Sequence, residues 1–458
     1  MDSSASHRFV FCLSAGLYLL FFAGWFFAIG RGNPDYLRDF HAAVNPDAQT
    51  YVQLGENIWR EGVYSRNPNP PFRPDFKWTP VFPVLAGAAS RCGGVGAILA
   101  LNVLLTLASA ALLARLVWFY TRSYWGAFLV FLCPLLDPLV WSLNLQAMSD
   151  VAFLFFLSLG AYWTFPALFP TESSGEPKAP KLSAFAGGLA FALAILTRPS
   201  GLYVPVVLLL AALGGWLFRQ KPRWAAVGLM LLGAALPVVG WMARNAAVFG
   251  KFALSGNQNI VMVYYTGGGA WQMTEGGTLD EAQKRIEEEF HLPPCVVCHN
   301  PEAFGADPAE IDSQLAAAKR KVLLRYPKAL VLSSGIGVVK SLAAHETRTL
   351  EEITRFSGLR PVFVWSLVFQ GTVLLLAVAF VVFRLPALWR FARQNPAFTL
   401  AVLGVAAYFL LTMMLSGMDC CARYRLPLMP IVYALAAGEL MKLMKMERPG
   451  LHPSQDSF

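Results

Sequence analysis

The sequence has few charged residues for its length. Asp, Glu, Lys and Arg make up 14% of its 458 residues, whereas 56% of the residues are hydrophobic. The mean hydropathy is +0.49, which excludes a soluble domain of this size. We therefore predict an all-α polytopic membrane protein in which residues 1–458 form a single integral membrane domain.

Acidic residues are outnumbered by basic ones, 28 to 37, which gives a formal net charge of +9. The basic residues are scattered in short loops between apolar runs, as the positive-inside rule predicts, so no nucleic-acid partner is expected. We also expect no cleavable signal, because the apolar run 9–29 is longer than a signal core and has no small-residue cleavage site before Arg31. We expect this run to remain as the first membrane-spanning helix.

Apolar runs of about the length of a span predict roughly ten transmembrane helices. The runs are 9–29, 95–118, 125–143, 151–168, 182–196, 202–218, 225–242, 362–383, 398–415 and 426–441. With the N-terminus in the cytoplasm, every inner loop carries basic residues. The further run 328–343 is too short to span comfortably, and we expect it to lie at the outer interface.

This topology leaves two long outer loops, 30–94 and 245–360, so we expect the chemistry on the outer face. In the first loop, Asn45 is placed to cap a short amphipathic helix that ends at Gly62. In the second loop, Asp307 and Pro308 begin another amphipathic helix, which we expect to lie on the transmembrane bundle.

Several charged residues fall at the outer ends of predicted spans. A charge within the apolar layer costs roughly 2.5–3.5 kcal/mol on insertion scales, so such residues tend to face a polar cavity or to pair. Cations with one or two carboxylates are what a phosphate-linked lipid donor requires. The charged residues at the outer ends are Asp150, Arg198, Arg244, Arg423 and Arg425.

The order of these segments resembles the GT-C glycosyltransferases, in particular bacterial members of the protein-mannosyltransferase and aminoarabinose-transferase group, family 39. The matching stretches are NPDAQTYVQLGENIWREGVYS, FKWTPVFPVLAG, MSDVAFLFF, AILTRPSGLYVPV, PVVGWMARNAAVFGKFALS and RYRLPLMPIVYALAAGEL. The resemblance implies a GT-C-like fold in the inner (cytoplasmic) membrane, with the active site on the outer, periplasmic face. It also implies a polyprenyl-phosphate-linked sugar as donor and an inverting transfer to an acceptor hydroxyl.

The same resemblance implies roles for individual residues. Asp47 matches the general base that deprotonates the acceptor, Lys77 matches a lysine that contacts the donor phosphate, and Asp150 matches a second outer acid. Tyr51, four residues after Asp47, is a substrate-adjacent candidate, with plain packing as its alternative. Further phosphate or structural partners would be Arg198, Arg244, Arg423 and Arg425.

Simpler roles stay open for these residues. Asp47 and Asp150 are also placed to cap helices, Lys77 to anchor the chain at the interface, and the arginines to reach lipid headgroups. The sequence also departs from the family pattern. Ala48 stands where many members have a second acid, and Phe76 stands where some have an acid before the lysine. We therefore assign no metal ligands, and a divalent metal stays an open alternative.

Cysteine usage raises a competing function, that of a membrane-bound c-type haem or redox protein. Cys295, Cys298 and His299 form the C-x-x-C-H pattern of c-type haem attachment. A disulfide or redox pair is the interpretation we favour for these cysteines. A covalent haem and a metal site with Cys420, Cys421 or His299 are less favoured. A lipid-carrier transporter is the remaining alternative function, and the sequence names neither the sugar nor the acceptor.

Overall fold

The structure, a computed structural model, describes residues 3–38, 46–171, 179–344, 347–418 and 421–444. Throughout these ranges the regular structure is helical, and no β-strand occurs in them. The prediction of an all-α polytopic membrane protein is therefore confirmed.

Ten helices make up the first part of the chain. They are α1 (Ser3–Gly32), α2 (Pro34–Arg38), α3 (Pro46–Glu61), α4 (Val81–Thr121), α5 (Tyr124–Leu136), α6 (Pro138–Asn144), α7 (Asp150–Leu168), α8 (Pro180–Ile195), α9 (Val204–Leu217) and α10 (Trp224–Phe249). A 3₁₀ turn, Pro199–Gly201, joins α8 to α9.

The remaining helices are α11 (Asn257–Ile260), α12 (Gly268–Glu275), α13 (Leu279–Phe290), α14 (Cys295–His299), α15 (Pro308–Leu324), α16 (Pro327–Ala343), α17 (Thr347–Thr354), α18 (Arg360–Gln394), α19 (Pro396–Met414) and α20 (Met429–Leu443). A π-helical turn, Val261–Gly267, follows α11. Two 3₁₀ turns, Pro301–Phe304 and Ala422–Arg425, precede α15 and α20.

Seven helices within the described ranges are long and apolar enough to cross a membrane, and the number rises to nine if each of two bent pairs is one span. Nine of the ten predicted spans coincide with one helix each, and the span 125–143 coincides with the pair α5 and α6, which is bent by 58°. Helices α8 and α20 are not among the seven to nine, and they have only 16 and 15 residues. At about 1.5 Å per residue both are shorter than a hydrocarbon core of roughly 30 Å.

The long helix α4 is broken at Gly93 and Gly94. Gly94 has φ 62° and ψ −152°, a conformation that only glycine adopts readily. The break lies where the predicted span 95–118 begins, so the part of α4 before it extends out of that span.

Helix α3 crosses this first part of α4 at very short range. A Cβ atom on Gly87 would lie 2.4 Å from the carbonyl oxygen of Gly55, so the backbones touch. Tyr51 and Leu54 are buried on the same side, as the apolar periodicity predicts. The helix ends before Gly62, which has φ 70°. The predicted cap, Asn45, lies outside the described residues.

Residues 257–324, which we call the outer layer, comprise α11 to α15 and form a small core of their own. The core contains Ile260, Val263, Tyr264, Trp271, Ala282, Ile286, Cys298, Ile311, Leu315, Ala318 and Val322. Asp307 caps α15 by accepting a hydrogen bond from the backbone N–H of Ala309, as predicted. The expectation that α15 lies on the bundle is wrong, because its apolar face packs into the outer-layer core.

Helix α16 follows α15 at a bend of 97°. It packs against α12 and α19. Its position at the outer interface stays a prediction.

Candidate functional site

The first turn of α3 places Asp47 beside the 3₁₀ turn that precedes α20. Oδ2 of Asp47 lies 3.3 Å from Nη2 of Arg423, although 376 residues separate them in the sequence. The two side chains are 30% and 20% exposed, so the pair is open to solvent on one side. The structure thus brings the predicted base to one of the predicted phosphate-binding arginines.

A second ion pair lies close to the first. Asp150, the first residue of α7, is buried and pairs through Oδ1 with Arg198, which follows α8. Burial lowers the pKa of Arg423, but the charges of Asp150 and Asp47 outweigh burial and hold that pKa well above its ordinary value. Arg423 is therefore a permanent cation placed between two carboxylates.

Two buried polar atoms of these pairs have no hydrogen-bond partner in the described part of the chain. They are Nε of Arg423 and Oδ2 of Asp150. An unsatisfied buried donor or acceptor costs free energy, so such atoms are typical of sites that bind a polar ligand.

Lys77 lies in the connector between α3 and α4, and its ammonium group lies 4.5 Å from the ring centroid of Trp78. Its Nζ atom is 2.7 Å from Nδ1 of His299 in the outer layer. Burial lowers the pKa of Lys77 to about 8, against the charge of Asp47, which raises it. Lys77 is therefore close enough to Asp47 for their charges to interact.

Tyr51 lies beneath this group. Its hydroxyl is 3.2 Å from Oγ of Ser149, and its ring packs on Trp78 and Phe82. Burial, and then the charge of Asp47, raises the pKa of Tyr51. With 5% of its surface exposed, Tyr51 supports the floor of the site, as the packing alternative predicts.

Two predicted phosphate partners are not brought to this site. Arg425 has no exposed surface. Its guanidinium donates to the carbonyl oxygens of Ser341 and Ala344 and lies 4.0 Å from Asp137. All these partners are internal, so Arg425 has a structural role. The prediction that Arg425 contacts the donor phosphate is therefore corrected.

Arg244 also lies in a separate environment. It donates to the carbonyl oxygen of Asp75 at 3.1 Å. Its guanidinium lies within 5.4 Å of the ring centroids of Tyr64, Trp241 and Phe249. These contacts fix the C-terminal part of α10 to the connector, so the structure gives Arg244 a packing role.

The C-x-x-C-H motif forms the short helix α14, and Cys295 and Cys298 are both free thiols in the structure. Burial raises the pKa of Cys295 to about 12 and that of Cys298 to about 11, so neither is a thiolate at neutral pH. The disulfide stays a prediction.

The arrangement does not fit a haem. Cys298 is 3% exposed within the outer-layer core. Both ring nitrogens of His299 are engaged, Nδ1 by Lys77 and Nε2 by the hydroxyl of Tyr265 at 3.1 Å. We therefore assign no step to a haem.

A metal site is likewise not apparent in the described ranges, which contain no group of three or more His, Cys, Asp or Glu side chains able to hold an ion. Cys420 lies outside these ranges, and Cys421 is exposed.

Sequence reasoning missed two residues around Lys77, Arg66 and Tyr265. Arg66 pairs with buried Asp75 at 2.8 Å and donates through Nη1 to the carbonyl oxygen of His299 at 2.7 Å. Tyr265 belongs to the π-helical turn, a feature that is frequent at functional sites. Arg66 and His299 are 233 positions apart, a separation that no spacing rule links, so only the fold reveals their contact.

No protein-family model matches the sequence, and neither does any curated protein. Among solved structures, the chain is similar to the apo form of an oligosaccharyltransferase from Archaeoglobus fulgidus, with a TM-score of 0.50 and 13% identity. The alignment covers 97% of this chain and 53% of that one, so the chain spans about half the length of the archaeal protein.

A second similar structure is ArnT from Cupriavidus metallidurans bound to undecaprenyl phosphate. Its TM-score is 0.43 at 14% identity, with 93% of this chain and 77% of that chain covered. The likeness to the archaeal protein shows a similar fold and nothing further. The narrower family 39 assignment stays a prediction.

Proposed function

We propose that this protein is a membrane glycosyltransferase that moves a sugar from a polyprenyl-phosphate donor to an acceptor hydroxyl at the outer face. One observation carries the proposal. Asp47, Lys77, Asp150, Arg198 and Arg423 come from five separate segments of the chain, and their charges interact around the first turn of α3.

The charge of this group suits a phosphodiester. Lys77, Arg198 and Arg423 supply three positive charges, and Asp47 and Asp150 supply two negative charges, which leaves one positive charge. A sugar linked to a lipid through a single phosphate carries one negative charge. When the sugar departs, the phosphate gains a second charge, and cations already in place stabilise that charge as it develops.

In the proposed reaction the acceptor hydroxyl attacks the anomeric carbon of the sugar. The carboxylate of Asp47 takes the hydroxyl proton as the new O–C bond forms. The bond from the anomeric carbon to the phosphate oxygen breaks, and its electron pair leaves with the polyprenyl phosphate. Attack from the side opposite the leaving phosphate inverts the anomeric centre.

Arg423 fixes the position of the Asp47 carboxylate. Its Nη2 atom lies 3.3 Å from Oδ2 of Asp47 and holds that carboxylate at the first turn of α3. Because Asp47 is partly exposed, an acceptor hydroxyl can approach it from the open side of the pair.

The fold is consistent with this activity. The archaeal structure that shares it is named an oligosaccharyltransferase. At 13% identity this likeness supports the scaffold, and the proposed chemistry rests on the charged group.

The proposal is tested with purified protein in lipid nanodiscs, a panel of polyprenyl-phosphate sugars, and envelope lipids and glycans as acceptors. We expect Asp47→Asn to lower the transfer rate by at least about 100-fold, the lower end of what a general base contributes. Lys77→Ala should lower it by a similar factor. The matched controls are Glu288→Gln and Lys284→Ala, which remove charges from exposed positions of the outer layer. If both site variants transfer as fast as their controls, the proposal fails.

A further inference from the structure

The C-x-x-C-H motif is anchored in the outer layer by its two cysteines. The backbone N–H of Cys295 donates to Oε1 of Glu287 on α13 at 2.6 Å. Cys298 lies in the outer-layer core, with its sulfur 3.5 Å from the carbonyl oxygen of Pro293. The motif therefore holds the last residue, His299, at a fixed place on the outer layer.

His299 joins the outer layer to the connector that carries Lys77. Its Nδ1 atom meets Nζ of Lys77 at 2.7 Å, and its carbonyl oxygen accepts from Arg66 at 2.7 Å. Arg66 is in turn paired with Asp75, which is fully buried. One residue thus makes two short contacts to two residues of the same connector.

The direction of these hydrogen bonds follows from the chemistry of the groups. Burial, together with the charge of Lys77, lowers the pKa of His299 to about 4, so its ring is neutral at physiological pH. An ammonium group only donates, so Nδ1 must accept from Lys77. The hydrogen of the neutral ring is then on Nε2, which donates to the hydroxyl oxygen of Tyr265 at 3.1 Å.

We propose that His299 is a positioning residue that fixes the ammonium group of Lys77 for the donor phosphate. This inference rests on the proposed function for the role of Lys77, and the contact itself does not depend on that function. A lysine side chain has four rotatable methylene links and loses considerable rotamer freedom when it is held in one geometry. His299 accepts one of the three ammonium hydrogens and so leaves the other two for a phosphate.

The motif that resembles a haem attachment site thereby gains a different role. Its cysteines anchor a short helix in the outer layer, and its histidine completes the charged group from above. The outer layer is then part of the site, and its removal would leave Lys77 without its acceptor.

The first test measures Lys77 directly, without any donor. Acylation of Lys77 by acetic anhydride is followed across pH by mass spectrometry, in nanodiscs, for wild type, His299→Ala, His299→Asn and the control His291→Asn. The charged and titratable groups that act on Lys77 are Asp47, Arg66, Asp75 and Cys295, besides His299. None of these is altered in the variants.

We expect a labelling midpoint near pH 8 in the wild type. In His299→Ala, Lys77 loses its acceptor and moves into water, so the midpoint should rise by about one to two pH units toward the ordinary lysine value. The amide oxygen of asparagine can accept the same hydrogen bond, so His299→Asn should keep the midpoint near that of the wild type, as should His291→Asn. A midpoint near pH 8 in His299→Ala would overturn the proposal.

The second test measures transfer with a polyprenyl-phosphate sugar. His299→Ala should lower kcat about 10-fold, with the KM for the donor changed less than threefold, and His299→Asn should restore most of kcat. If His299→Asn is as slow as His299→Ala while both keep the wild-type melting temperature, the positioning role is wrong. If the wild type transfers no sugar at all, the proposed function fails, and the labelling result alone decides whether His299 holds Lys77.

Discussion

Lys77 is the residue of the site whose charge changes nearest to physiological pH. Burial lowers its pKa to about 8, whereas the pKa of His299 is lowered to about 4 and that of Cys295 is raised to about 12. Between pH 5 and 11, Lys77 therefore titrates alone among these three neighbours. Its ammonium form, which the donor phosphate needs, is present below pH 8 and is lost above it.

The lowered pKa of Lys77 predicts an alkaline limb in the pH dependence of the transfer rate. We expect kcat to fall about 10-fold per pH unit above roughly pH 8, because the lowered pKa removes the ammonium charge there. Lys77→Arg keeps a positive charge to much higher pH, so its lower rate should show no alkaline limb in this range. Rate measurements from pH 6 to 10 decide the point. An alkaline limb that is identical in Lys77→Arg would contradict the assignment.

Arg423 and Arg425 show what the sequence leaves open at this scale. They are two residues apart in a 3₁₀ turn, where successive side chains are about 120° apart around the axis. One points to Asp47 and the other into the bundle. A charged residue at the end of a span can either face the site or pair inside the bundle. The sequence therefore marks both arginines as candidates and cannot assign which one faces the site.

Helix α3 carries Asp47. The position of α3 is fixed where it crosses α4. An added Cβ on Gly55 would lie 2.4 Å from the carbonyl oxygen of Pro83 and 2.6 Å from the backbone nitrogen of Gly87. These are backbone atoms of a packed helix and cannot move aside as a flexible side chain does. The crossing therefore tolerates only glycine at both positions.

The close crossing of α3 and α4 predicts that one added methyl group at Gly87 destabilises the protein. Gly87→Ala should force α3 away from α4, with a loss of about 2 kcal/mol in stability, as for other overpacked interiors, and a loss of transfer activity. Gly96→Ala is the matched control, since a Cβ there meets nothing within 4 Å. Thermal unfolding in detergent and a transfer assay check both. Equal melting temperatures for the two variants would show that the contact is not as close as described.

At the level of elements the sequence was informative. Helical periodicity and capping residues predict the buried faces of α3 and α15, the end of α3 at Gly62, and the start of α15 at Asp307. The packing of α15 was not predictable, because an apolar face specifies that it is buried and does not specify its partner. The outer-layer core that receives this face assembles from segments with no common pattern.

The whole molecule combines an apolar bundle with an outer layer. The outer layer contacts the connector through His299, and it contacts the end of α19 through Thr266, which donates to the carbonyl oxygen of Leu415. The pairs Lys77–His299 and Asp47–Arg423 join residues 222 and 376 positions apart. Such contacts follow from how the spans pack together. The sequence predicts the helices and many of the charged residues, while the tertiary fold determines which of these residues meet.

The orientation of the molecule is testable at this scale. In a cysteine-free background that retains function, Glu288→Cys in the outer layer should react with a membrane-impermeant maleimide on intact cells or spheroplasts. Lys221→Cys, exposed between α9 and α10, should react only after permeabilisation, because the basic loops are predicted to lie inside. The opposite pattern would place the charged group on the cytoplasmic side and exclude an outer-face reaction.

The central claim is that Asp47 removes the acceptor proton while neighbouring cations hold the phosphate of the donor. Single-turnover kinetics test it most directly, because they separate binding of the polyprenyl-phosphate sugar from the chemical step. We predict that Asp47→Asn lowers the single-turnover rate by at least about 100-fold while donor affinity stays within threefold of that of Glu288→Gln. A single-turnover rate in Asp47→Asn equal to that of the control would contradict the account.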